Sequence, residues 1–103
     1  MTKEITVLRD NARDLKFTGE QIAFVTSKTA DKGDRWTELT LYRTGSGKLI
    51  CSQVGFTCWE KEHDRHTGAV CETNDEVIEF FGLGWLAKEL YAEAKIDTSE
   101  TID

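Results

Sequence analysis

A chain of 103 residues with 39% hydrophobic side chains, including three Trp, two Tyr and five Phe, is long enough for one folded domain with a single core. Its formal net charge of −6 disfavours nucleic acid and favours a basic protein surface as partner. No apolar run reaches the roughly 20 residues of a membrane helix, the N-terminus has no signal-peptide core, and three Cys do not make a secreted disulfide scaffold, so a cytoplasmic location is expected.

The first half reads as strands. Glu4 to Leu8 alternates and is β-branched, and Asp10 to Asp14 supplies turn chemistry. A second strand runs from Leu15 to Thr26. Leu15 and Phe17 share one phase, while Ile22 and Phe24 take the other, so a β-bulge is expected at Gly19-Glu20. Ser27 to Asp34 is a polar loop. Trp36 to Arg43 and Lys48 to Trp59 then form a hairpin turning at Thr44-Gly45-Ser46-Gly47. On its first strand Leu39 and Leu41 oppose Trp36, Glu38 and Tyr42. On its second, Ile50, Val54, Phe56 and Cys58 share a face that is assigned to the core. A short fifth strand lies near Thr67 to Cys71.

Helical periodicity begins at Thr73. Thr73-Asn74-Asp75-Glu76 fits a capping box, and Asp75, Glu76 and Glu79 suit the positive end of the helix dipole. Val77, Ile78, Phe80 and Phe81 form the buried stripe, and Gly82-Leu83-Gly84 ends the helix. A second helix spans Trp85 to Lys95 with Leu86, Leu90 and Ala94 inward. The expected fold is α+β: an antiparallel sheet of four to five strands followed by two C-terminal helices packed on one face. Residues 1–96 make the domain, and 97–103 a short flexible acidic tail.

Several patterns bear on chemistry. Cys58, His63, His66 and Cys71 are zinc-type ligands within fourteen residues. A hairpin turning at Asp64-Arg65 sets Cys58 against Cys71 and holds the thiols roughly 16 Å from the imidazoles, so no metal or other cofactor is expected. In the same register Cys58 and Cys71 pair as small buried groups or as a disulfide, and Cys51 falls on the opposite face as a candidate exposed thiol. Gly45-Ser46-Gly47-Lys48 lacks the remaining phosphate-loop residues and joins two strands, so it is a turn. Glu62, His63, Asp64 and His66 read as a solvated loop tip rather than a proton-transfer set, and no nucleophile is paired with a base. No enzyme activity is expected.

Trp36, Tyr42 and Trp59 lie near Lys28, Lys32, Arg35 and Arg43, a combination that suits stacking of nucleic-acid bases or a protein hot spot. Net charge favours the protein. Residues 1–57 hold nine Lys/Arg against seven Asp/Glu, whereas residues 58–103 hold four against twelve. The surplus of carboxylate therefore sits where the helices are expected.

The resulting expectation is a non-enzymatic protein-binding module that docks on a basic partner, not on nucleic acid directly. Its contact residues would be Glu60, Glu62, Asp64, Asp75, Glu76, Glu79, Glu89, Glu93, Trp36 and Trp59. Small acidic phage- or plasmid-encoded inhibitors of nucleic-acid-handling machinery, of the anti-CRISPR or anti-restriction kind, are the closest class-level analogy. The alternatives are a Cys2His2 metal module and a small ligand-binding domain or enzyme with a pocket between sheet and helices. Oligomeric state carries no signal in the sequence.

Overall fold

The computed structural model describes residues 3–28, 34–99 and 102. Five strands, β1 (Lys3–Val7), β2 (Leu15–Thr26), β3 (Arg35–Thr44), β4 (Leu49–Thr57) and β5 (Arg65–Cys71), are followed by α1 (Asn74–Phe81) and α2 (Trp85–Ala94). The strands pair antiparallel in sequence order. Both helices pack on one face, α2 against β2 and β3, and α1 against β4 and β5. This is the α+β architecture expected. Residues 29–33 of the polar loop, Lys32 among them, and residues 100, 101 and 103 of the tail lie outside the described residues.

The phase change in β2 is present, two residues later than expected. Gln21 pairs with Tyr42, but Ala23 pairs with Leu41, so the bulge falls between them. Ile22 and Ala23 both reach the helix-side core. Gly19 has a different reason to be glycine: a Cβ there would lie 2.2 Å from the Arg43 carbonyl oxygen. Beyond Gly19, β1 no longer covers β2. Glu93 of α2 blunts this free edge by accepting the Phe24 N–H at 2.9 Å.

The face assigned to β4 is reversed. Leu39 pairs with Gln53, Leu41 with Cys51 and Arg43 with Leu49. Leu49 and Cys51, not Ile50, Val54 and Phe56, therefore join Leu39, Leu41, Cys71, Val77, Leu90 and Tyr91 beneath the helices. Cys58 lies beyond the strand and is exposed. Alternation could not decide the matter because β4 is apolar in both phases. Its second apolar set fills the other face, where Ile50 is buried, Trp36 stacks on Phe56 and Tyr42 meets the edge of Phe17.

That second face is concave. Asp10 N–H donates to the His66 carbonyl and His66 N–H to Asp10 Oδ2, both at 2.8 Å, tying the β1–β2 turn to β5 at the opposite side of the sheet. Val7 is carried over Gly68, where a Cβ would stand 3.0 Å from Val7 Cγ1. Buried apolar side chains thus hold both faces, each large one contributing roughly 1.5–3 kcal/mol.

The helices follow their sequence signals. Thr73 Oγ1 accepts the Glu76 N–H, while Glu76 Oε1 accepts from Thr73 and Glu72. Gly82, at φ 84°, closes α1 by donating to the Ile78 carbonyl. Tyr91 Oη donates to the Gly82 carbonyl at 2.6 Å, joining α2 to the interhelical bend. Burial pushes the Tyr91 hydroxyl pKa up to about 12.

Gly19→Ala is expected to cost at least about 2 kcal/mol, because backbone rather than a flexible side chain must move. Gly45→Ala, whose new Cβ meets its nearest neighbour at 3.9 Å, should stay within about 0.5 kcal/mol. Denaturant midpoints at unchanged slope measure both.

Candidate functional site

Two surfaces merit attention, one on the helices and one at the end of the sheet. On the helices, the inward residues Val77, Ala87, Leu90 and Tyr91 leave Asp75, Glu79 and Glu89 in solvent. None of these three has a salt-bridge partner among the described residues. Glu76 and Glu93 are also exposed, but each accepts backbone N–H groups, one as the α1 cap and the other on the β2 edge.

Between the helices the chain exposes two large apolar residues, Leu83 at 57% and Trp85 at 67%. Trp85 stands one helical turn from Glu89 on the same outer face. Beside it lies a depression of about 440 Å³ bordered by Leu39, Gln53, Phe81 and Leu86. Sequence reasoning placed Trp85 in the helix but did not single it out. The signal was there: Ala87, Leu90, Tyr91 and Ala94 turn inward, and Trp85 falls outside that stripe.

At the end of the sheet, the 58–64 loop folds back on its own strand. Arg35 grips Glu62 with two bonds, Nε to Oε1 at 3.0 Å and Nη2 to Oε2 at 2.5 Å. Thr57 Oγ1 donates to Glu62 Oε1, and Thr57 N–H donates to Asp64 Oδ1 at 3.0 Å. The Arg35 hydrogen bonds, with the one from Thr57, hold the Glu62 carboxyl below the usual range, and Glu62 raises Arg35 in return. Both side chains remain hydrated, so this pair orders the loop more than it stabilises the fold.

Glu62 and Asp64, expected to face a partner, are thus engaged within the loop. Glu60 and Trp59 are exposed on it, and Trp36 is half-buried against Phe56 with Lys28 Nζ 4.2 Å above its ring. A cleft of about 800 Å³ opens here, bounded by Asp10, Trp36, Phe56, Lys61, Glu62 and Arg65. No sequence motif marks it, because its walls come from five separated stretches. The space between sheet and helices, by contrast, is occupied by Phe80, Phe81 and Leu86 packed on the core.

The cysteine and histidine pattern disperses. Gly55 pairs with Arg65 and Leu49 with Cys71, so the hairpin is not centred on Asp64-Arg65 and Cys58 does not face Cys71. His66 and Cys71 stand at opposite ends of β5, about 16 Å apart along the strand. No group of three metal-binding side chains forms among the described residues. Cys71 instead neighbours Cys51, with sulfurs 3.7 Å apart and both thiols buried and free. Cys51 is therefore not the exposed thiol. Burial raises the pKa of both; Glu76 and Glu79 raise Cys71 further, against the opposing effect of its Cys51 hydrogen bond.

No family model, curated protein or solved structure matches this chain.

An aromatic disulfide reagent should label one thiol per native chain, Cys58, and all three in denaturant; rapid native labelling of three would contradict the burial of Cys51 and Cys71. Glu62→Gln should speed tryptic cleavage after Lys61 at neutral pH. Because the folded Glu62 pKa is depressed, its contribution is complete above the ordinary glutamate range and disappears as pH falls through the lowered value. The difference in thermal midpoint between wild type and this variant should accordingly shrink in acid, and a difference constant down to strong acid would be inconsistent with the ion pair.

Proposed function

We propose that this protein is a non-enzymatic binding module whose helical face docks on a basic surface of another protein. The observation that carries this reading is the set Asp75, Glu79 and Glu89, solvent-facing and without salt-bridge partners among the described residues, on the two helices whose junction exposes Leu83 and Trp85. Free carboxylates steer and orient a positively charged partner. An exposed tryptophan bordering a depression with Phe81 and Leu86 is the kind of anchor that dominates interface energies.

The partner's chemistry follows from the charge. A groove built to hold a phosphate backbone presents lysines and arginines, and this face offers spaced negative charges in place of phosphates. The module then acts as an inhibitor of nucleic-acid-handling machinery, of the anti-CRISPR or anti-restriction type, by occupying that groove. Glu60, Glu76 and Glu93 add to the negative field without needing to make direct contact.

The test is a combined Trp85→Ala, Glu79→Lys, Glu89→Lys variant. Asp75 is spared because its charge also sits in the first turn of α1. Wild-type protein should capture a nucleic-acid-binding protein from host lysate, and duplex DNA should displace it. The variant should lose that capture by at least about tenfold in affinity while its stability changes by about 0.5 kcal/mol or less. Capture undiminished in the variant, or unaffected by DNA, would defeat the reading.

A further inference from the structure

One edge of the sheet is left open along half of a strand. β1 pairs with β2 only from Leu15 to Gly19, so residues 20–26 of β2 have β3 on one side and no strand on the other. Ser27 N–H donates inward to the Thr37 carbonyl at 2.9 Å, whereas Phe24 N–H points outward to Glu93. Backbone groups alternate along an antiparallel strand, so Thr26 also turns its N–H and C=O away from β3. The outward groups of Phe24 and Thr26 are a template for a further strand.

The sequence of this edge suits pairing with a second copy of itself. Gln21-Ile22-Ala23-Phe24-Val25-Thr26-Ser27 holds no charge, proline or glycine and is rich in strand-forming residues. In a chain of net charge −6 the acidic helical face repels its own copy, but this segment does not. Its two ends carry opposite charge, Glu20 and Lys28, both exposed. Antiparallel self-pairing brings the Glu20 end of one copy to the Lys28 end of the other. Phe24, 37% exposed, then faces Phe24 of the second copy as a cross-strand aromatic pair. What stands in the way is Glu93. Its Oε1 already holds the Phe24 N–H at 2.9 Å, and a two-fold axis at Phe24 would bring two such carboxylates to one place.

We propose that the open edge of β2 is a self-association site, taking a second copy of the chain antiparallel about a two-fold axis at Phe24, and that Glu93 holds it closed. Such an interface uses the same edge on both copies and therefore ends at a dimer. It does not depend on the docking reading. Sedimentation equilibrium over a range of concentrations, on wild type, Glu93→Ala and Glu93→Gln, is the test. Glu93→Ala frees two Phe24 N–H groups per dimer and should dimerise at least about tenfold more tightly than wild type. Glu93→Gln keeps an acceptor oxygen for the same N–H and should stay near wild type. In the Glu93→Ala chain, hydrogen exchange of the Phe24 amide should slow as concentration rises, which locates the contact at this edge. A Glu93→Ala chain that associates no more tightly than wild type would overturn the proposal, as would growth beyond a dimer or a dimer whose Phe24 exchange does not change. Equal dimerisation of Glu93→Gln and Glu93→Ala would overturn it too, by making charge and not the hydrogen bond the barrier.

Discussion

The pairing of Leu41 with Cys51 across β3 and β4 is the constraint from which the rest of this molecule follows. It turns Leu39, Leu41, Leu49 and Cys51 toward the helices and sends Trp36, Tyr42, Ile50 and Phe56 to the other face. A shift of one residue would exchange the two sets, since side chains alternate along a strand. With the observed register, Cys51 meets Cys71 in the core and Trp36 meets Phe56 at the cleft. The curl of the sheet follows as well, because the second face is apolar and must also leave water. Asp10 and Val7 complete that closure from the far side of the sheet.

The carboxylates divide into two populations with different work. Asp10, Glu62, Asp64, Glu76 and Glu93 accept hydrogen bonds from the protein itself: they close the sheet, fold the 58–64 loop, cap α1 and cover an open strand edge. Asp75, Glu79 and Glu89 make no salt bridge among the described residues and stay in solvent. Net charge alone conceals the division.

Much of the architecture was legible in the sequence because local signals were unopposed. The capping box at Thr73, the glycine stop at Gly82 and the turn at Thr44 to Gly47 each specify backbone geometry through neighbouring residues. The facing of β4 was not legible, since Leu49, Cys51, Ile50 and Phe56 make both phases apolar and only the tertiary partners choose between them. The β4–β5 register failed for a related reason: the 58–64 loop is held by Arg35 from a distant strand, a contact no local pattern announces. The helical carboxylates were readable from periodicity, whereas the exposure of Trp85 required asking which side of α2 the stripe left empty. The cleft was beyond reach, being assembled from residues up to 55 positions apart (Asp10 to Arg65).

Side-chain nuclear Overhauser contacts in the free protein test the β3–β4–β5 register most directly. The account predicts cross-peaks joining the Cys51 and Cys71 β-protons and the Trp36 and Phe56 rings, with Ile50 seeing Tyr42 and not Leu90. Contacts from Ile50 to Leu90 or Val77, or between Cys58 and Cys71, would place the opposite face of β4 beneath the helices and contradict it.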